Sequence, residues 1–292
     1  MLCCAHQIRF KSGTHVVTEI AFPFGKNWRE FLRHFDEERR RVAAESLIEF
    51  LPLQDMRGKT FLDVGCGSGL FSYAAHTLGA ERIVSFDADP DSVACCKVLR
   101  ARSGNPESWE VTQGSILDRE FTSRLGLFDL VYAWGVLHHT GRMWDSIRIS
   151  ADLVSPEGYY YIALYNKILS RDGRAAWIHD FWIKVKRLYN EHPGLGSYVL
   201  EPAAMAAYLG LVLLRGENPV THVRNYKSQR GMSWRTDATD WLGGYPYEFA
   251  TVEEVFSFVR EARSDFNLVN LKVTSGRGLN WYLFHRANPN SP

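Results

Sequence analysis

The chain has 292 residues, 34 Lys plus Arg against 33 Asp plus Glu, and 46% hydrophobic residues. That much apolar material builds a buried core and excludes a disordered chain, while a net charge of +1 excludes a histone-like binder steered by a chain-wide field. The length leaves room for an α/β domain with a substantial addition, and nine Trp, costly unless they fill a core or line a pocket, remain to be placed.

Five cysteines, Cys3, Cys4, Cys66, Cys95 and Cys96, form no CxxC framework, so reduced thiols in a cytoplasmic protein are expected. Cys95 and Cys96 read as small buried hydrophobes, and no metal is expected. The opening MLCCAHQIRFKSG carries no apolar run of signal-peptide length, and no stretch reads as the ~18 apolar residues of a membrane span.

Residues 1–57 read as an arm. From Lys26 to Phe50, Trp28, Phe31, Leu32, Phe35, Val42, Leu47 and Ile48 recur at roughly helical spacing among dense charges, which predicts an amphipathic helix. A core begins at 58–166, where KTFLDVGCGSGLFSYAAHTLGAERIVSFDADP predicts a strand over Thr60–Val64, a glycine turn, a helix closed near Gly79 and a second strand over Arg82–Phe86. WEVTQGSIL, FDLVYAWG and EGYYYIALYN predict further strands, with helical MWDSIRISADLV between the last two. This alternation predicts a parallel sheet covered on both faces. Residues 250–292 complete the core with a helix that places Val255, Phe256, Phe258 and Val259 on one side, then strands LVNLKVTSG and NWYLFHR. Their short link through Gly276, Arg277 and Gly278 forces an antiparallel pair.

Residues 167–249 lie outside this pattern. RAAWIHDFWIKVKRLYNEHP predicts a helix with Trp177, Ile178, Phe181, Trp182, Val185 and Leu188 on its apolar stripe, EPAAMAAYLGLVLLRG predicts an almost wholly apolar helix, and RGMSWRTDATDWLGGYPYE is rich in turn formers. The apolar helix fits the core of a cap or a dock on lipid, and its lack of a Lys/Arg-rich polar face favours the core. An insertion at the carboxyl edge of a sheet belongs over the site, where lids carry specificity. Arg224, Lys227, Arg230 and Arg235 stand in one stretch that suits an anionic substrate or RNA phosphate, although a solvated face is expected.

The phrase Leu62-Asp63-Val64-Gly65-Cys66-Gly67-Ser68-Gly69 sits where a strand ends and a helix begins. Glycines there let the backbone turn tightly and approach a ligand, and the helix start offers N–H groups. A dinucleotide site uses GxGxxG at this place, whereas here the spacing is GxGxG, with Asp63 before the glycines and Asp87 ending the second strand. A carboxylate at Asp63 disfavours a pyrophosphate and suits a ligand bearing an ammonium group. The fourth strand runs into the loop Trp134-Gly135-Val136-Leu137-His138-His139-Thr140 at the same edge.

Together LDVGCGSG, VSFDADP and FDLVYAWGVLHHTG, over residues 58–165 and 250–286, resemble the class I S-adenosylmethionine-dependent methyltransferases, in the broad group of ubiquinone-pathway O-methyltransferases and tRNA-uridine-modifying members. The resemblance implies an α/β fold, a Rossmann-like seven-stranded mostly parallel sheet with a terminal antiparallel hairpin, here joined by a helical arm and a helical cap. It implies S-adenosyl-L-methionine as cofactor, with Asp63, Gly65, Gly67 and Gly69 at its methionine end, Asp87 on both ribose hydroxyls and Ala88 beside it. Where the family reads Gly-Asp for the adenine contact this chain has Gly114-Ser115-Ile116-Leu117-Asp118, leaving Ser115, Ile116 or Asp118 for that role. The segment from Ala133 to Gly135, with Trp134, would face the methionine amino group.

Methyl transfer needs alignment above all, and a base only where the acceptor is protonated. His139 and His138 are the candidate bases, each with a packing role as the bland alternative. Trp28, Tyr165, Asn166 and Trp241 are held as substrate contacts, and Asn27-Trp28 also as a closure over the cofactor, against Trp28 as an anchor of the arm. The expected acceptor is a small molecule methylated on O or S, without stable nucleic-acid binding. The rivals are an RNA methyltransferase, favoured by the basic stretch and disfavoured by neutral charge, and a non-catalytic cofactor-binding regulatory or scaffold protein.

Overall fold

In the computed structural model, residues 8–12, 15–19, 22–25, 28, 29, 32, 35–173, 175–230, 234–276 and 278–288 are described. The apolar runs read as strands form one sheet of seven, β3 (Thr60–Val64), β4 (Arg82–Asp87), β5 (Trp109–Gln113), β6 (Phe128–Trp134), β7 (Val154–Tyr165), β8 (Phe266–Lys272) and β9 (Leu279–Arg286), in the order β5-β4-β3-β6-β7-β9-β8. β3 pairs in parallel with β4 and with β6, and β7 pairs antiparallel with β9 in register from Tyr159↔His285 to Tyr165↔Leu279. The chain runs outward from β3 to β5 and then returns to the other side of β3. The carboxyl ends of β3, β4 and β6 therefore border the crevice where a parallel sheet binds ligands.

Both faces of the sheet are covered, as its near-continuous apolar strands require. Leu62, Val84, Val131 and Tyr160 belong to one core, and Phe61, Ile83, Trp109 and Tyr132 to the other. The arm supplies α1 (Glu37–Phe50), capped by Asp36, which accepts from the Arg39 N–H at 2.9 Å. It also contains an antiparallel ribbon of β1 (Ile8–Ser12) and β2 (His15–Glu19), which the expectation of a helical arm missed because two short strands with polar interruptions carry little periodicity. The sheet is threaded by α2 (Leu70–Thr77), α3 (Pro90–Arg102), α4 (Arg119–Ser123) and α5 (Met143–Ala151).

Residues 167–249 leave and return at one point. The Ala250 N–H donates to the Tyr165 carbonyl and the Lys167 N–H to the Ala250 carbonyl, both at 3.0 Å. The excursion holds α6 (Trp177–Glu191), α7 (Pro193–Leu214, with a π-turn at Gly196–Leu200), α8 (Pro219–Arg230) and α9 (Trp234–Gly243), before α10 (Val252–Ala262) rejoins the core.

Three expectations are corrected here. The face that α6 buries is His179, Lys186, Tyr189 and Asn190, while Trp177, Phe181 and Leu188 of the apolar stripe are exposed. Polar groups win that face because they are bonded: Asn190 donates to the Gly243 carbonyl at 2.7 Å, and the Ile168 N–H donates to His179 Nε2 at 2.8 Å. The apolar α7 is not a core helix, since only 11% of its most apolar window is buried, and by length and composition it is long enough to cross a membrane. On α10, Val255 and Val259 are buried whereas Phe256 is exposed.

Candidate active site

A cavity of about 1550 Å³ opens over the carboxyl edge of the sheet, between the β3 glycine loop, the β6 loop, the arm and the insertion. Its floor depends on glycine. Gly67 lies at φ +53°, and a Cβ there would stand 2.8 Å from the Trp28 indole, which is laid against the loop. At Gly65, φ +67°, a Cβ would meet Val136 at 2.4 Å, so the β3 and β6 loops touch through this missing side chain.

Asp63 is buried at the end of β3 and sits at the head of a polar chain. The Trp109 indole N–H donates to Ser85 Oγ at 2.8 Å, Ser85 and Ser72 hydroxyls share a bond of 2.7 Å, and Ser72 reaches Asp63 Oδ2 at 2.5 Å. An indole only donates and a carboxylate accepts, so each hydroxyl passes its hydrogen toward Asp63 and the chain points one way. Burial nevertheless pushes the Asp63 carboxyl up to about 7, with the Ser72 bond opposing and the Asp87 charge adding to the rise. Ser72, Ser85 and Trp109 were not among the expected site residues. Their only sequence signal is a Ser facing inward from a helix and another within an apolar strand.

Asp87 ends β4 and accepts the Gly67 N–H at 3.0 Å on one oxygen and the Asp89 N–H at 2.9 Å on the other. Burial raises it to about 6, against those backbone donors and with the Asp89 charge adding. Two carboxyls, Asp63 buried and Asp87 half-buried, held above the ordinary carboxylate range suit a ligand that brings a cation and hydroxyl donors, which is what an amino acid joined to a nucleoside offers. Asp89 in turn accepts the Gly25 N–H at 2.8 Å, and Arg29 pairs with Asp91, so α3 fastens the arm over this end of the cavity. Trp28 lines this end of the cavity against the glycine loop and also packs on the core of that side; Asn27 lies outside the described residues.

Ala88, Ser115, Ile116 and Trp134 line the cavity. Asp118 does not: it is the N-cap of α4, accepting the Phe121 N–H at 3.0 Å, which removes it from the adenine candidates. Asn166 is likewise spent on structure, donating to the Gly276 carbonyl at 2.8 Å and accepting from Asn280 at 3.0 Å to hold β7 to the β8–β9 turn. Tyr165 and Trp241 do line the cavity.

His138 and His139 lie in a 3₁₀ turn, Leu137–His139, clasped by the GGYPYE segment of the insertion. His139 Nδ1 is 2.6 Å from the Pro246 carbonyl, the Glu248 N–H donates to the His138 carbonyl at 3.0 Å, and the Met143 N–H donates to Glu248 Oε2 at 2.9 Å. Since a carbonyl only accepts, Nδ1 carries the hydrogen and Nε2 of His139 is the acceptor. Burial, the larger cause, and the charge of Lys186 bring His139 down to about 3, against the Pro246 bond. Burial also lowers His138, with His139 and Lys186 contributing, and its Nδ1 has no hydrogen-bond partner among the described residues. Lys186 is fully buried, donates to the Trp241 carbonyl and lies 5.0 Å from the Trp241 and Tyr247 ring centres. Sequence reasoning missed it because it interrupts an apolar stripe and reads as a solvated charge.

Comparison with known proteins bears on the glycine loop and sheet just described. The sequence profile of a family described as a methyltransferase domain matches residues 35–210. The chain belongs to the class I S-adenosylmethionine-dependent methyltransferases. S-adenosylmethionine is accordingly its cofactor. The ribosomal protein L11 methyltransferase of Vibrio parahaemolyticus is 41% identical over 64 residues, 22% of each chain, and that of Alteromonas mediterranea 46% over 57 residues, 20% of each. The methyltransferase thus spans only about a fifth of the length of these curated relatives. Among solved structures, magnesium protoporphyrin IX methyltransferase from Synechocystis PCC 6803, with bound SAH, superposes with a TM-score of 0.51 at 14% identity, covering 90% of this chain and 94% of that one. PKMT2 from Rickettsia typhi gives 0.55 at 13%, covering 93% and 55%. At such identities the likeness is one of fold.

Proposed function

We propose that this methyltransferase acts on a hydroxyl or thiol of a small, largely apolar acceptor held beneath the helical insertion, residues 167–249, which serves as a cap on the core of 58–166 and 250–292. The observation that carries this is the wall beyond the glycine loop, where Phe24, Trp134, Tyr165, Trp241 and Leu242 face a cavity too large for the cofactor alone. The short stretch shared with the ribosomal-protein enzymes is no guide to the acceptor.

Asp63 would hold the ammonium group of the cofactor, Asp87 the ribose hydroxyls, and Ser115 with Ile116 the adenine edge. When bound, the cofactor supplies an electrophilic methyl group and leaves as a neutral thioether. His139 presents Nε2 to the acceptor hydroxyl: it orients the oxygen lone pair and receives the proton as the oxygen loses it. Its depressed basicity, to which Lys186 contributes, keeps the ring neutral until transfer, and the oxonium formed as the methyl arrives is acidic enough to give its proton to Nε2. His138, with Tyr165 4.2 Å away between ring centres, shapes the opposite side of the acceptor.

His139→Ala should lower kcat by about 10²-fold or more while S-adenosylhomocysteine binds as before. A fully active variant returns His139 to a packing role. Incubation with labelled cofactor and an extract of small molecules should label the organic-soluble fraction; label confined to protein or RNA would refute the small acceptor.

A further inference from the structure

Helix α7 is apolar on every side, and the fold uses one of them. Ala204 and Met205 line the cavity, Val212 is buried, and Glu201, the one charged residue of the helix, is held inside by Thr239 Oγ1 at 2.8 Å and by Tyr189. The other side is left in water: Leu214 is 84% and Tyr198 83% exposed, with Val199 and Leu211 exposed between them. The adjoining helices add Trp177, 73% exposed, and Val220, 77%. Exposure on this scale, at the rim of an apolar cavity, is beyond the scattered apolar residues of an ordinary surface.

We propose that this face docks the cap onto an anionic lipid bilayer, with α7 lying along the headgroup boundary and the cavity opening toward the lipid. Charge selects the occupant. From Lys184 to Arg235, leaving out Lys186 and Glu201, which the cap buries, the chain has seven Lys plus Arg and two Asp plus Glu, so the apolar helix is flanked by a net +5 in a protein of net +1 overall. Lys184, Arg215 and Arg224 are exposed there. The cations that an interfacial helix needs are absent from α7 but stand on its neighbours, and each one near an anionic surface contributes about 1 kcal/mol. A second copy fits less well, because a twofold interface would set this cationic rim against itself. A span is excluded by Glu201, which sits within the helix and is bonded into the cap.

The docking stands independently of methyl transfer; only the corollary, that the acceptor is a lipid-resident apolar molecule entering under α7, rests on the function proposed above. The full chain is sedimented with vesicles of phosphatidylglycerol or of phosphatidylcholine, and its Trp fluorescence is followed with brominated acyl chains. Binding to the anionic vesicles at least about tenfold tighter, bromine quenching, and a loss of at least about tenfold in Leu211→Glu/Leu214→Glu are expected. Neither residue touches the cavity, so S-adenosylhomocysteine binding by calorimetry should be unchanged, which shows the variant folded and tests the cofactor site separately. The proposal is overturned by wild-type protein that stays in the supernatant, by bromine that does not quench, by a variant that binds as before, or by a dimer in ultracentrifugation that the double substitution dissolves.

Discussion

Lowering the pH from 7.5 to 5.5 should weaken cofactor binding through Asp63 and Asp87, the two carboxylates proposed above to hold it. With Asp63 near 7 and Asp87 near 6, the ionised fraction of Asp63 falls about 25-fold over that interval and that of Asp87 about 4-fold. If the ligand needs both ionised, affinity for S-adenosylhomocysteine falls about 100-fold, close to 3 kcal/mol. Calorimetry in buffers of different ionisation enthalpy should also show proton release on binding near pH 6.5. In Asp63→Asn only the roughly 4-fold contribution of Asp87 should survive. The unliganded protein responds with the opposite sign. Folding raises both carboxyls above their ordinary 3.8, so the native state holds more protons than the unfolded chain between about pH 4 and 7, and stability falls as pH rises through that window. A wild-type affinity that changes less than about 3-fold between the two pH values would refute the role of both carboxylates in binding.

Three further perturbations test the surroundings of the site. Ser72→Ala removes the donor closest to Asp63, so the midpoint of cofactor binding should move to higher pH and thermal stability should drop by about 1–3 kcal/mol, read by titration calorimetry and melting. Gly67→Ala places a Cβ 2.8 Å from Trp28 in a left-handed backbone, and should cost about 1–3 kcal/mol of stability and abolish most cofactor binding, measured by the same two methods. Lys186→Met removes a positive charge that lowers His139, so the imidazole should titrate at higher pH in an NMR titration; an unmoved resonance would show that burial alone sets it.

The glycine-loop side of the cavity, where the cofactor is proposed to sit, was legible in the residues because its elements are local in sequence. Asp63 and the three glycines lie within seven positions, and Asp87 follows one β-α-β unit later, so strand periodicity and turn chemistry place them together without knowledge of the fold. The terminal hairpin was legible for the same reason: a link this short, six residues between Lys272 and Leu279 in the structure, admits only an antiparallel return. The acceptor half was not, since it is assembled from distant segments. His139 meets Pro246 across 107 residues and Met143 meets Glu248 across 105, contacts that no local pattern announces. Asp118 and Asn166 illustrate the converse error, polar residues at plausible positions whose side chains are consumed by a cap and a turn.

The sequence by itself determined the seven strands of the main sheet, where the glycine loop falls and which acids flank it, because each depends on spacing within a single supersecondary unit. Only the tertiary structure decided which face of each insertion helix is buried. Apolar periodicity pointed α6 inward through Trp177 and Phe181, yet bonded His179, Lys186 and Asn190 took that side, and α7, apolar all round, had no preferred face at all. Burial there is settled by the partners that the rest of the chain brings, and those partners leave an apolar surface outside and a polar network within.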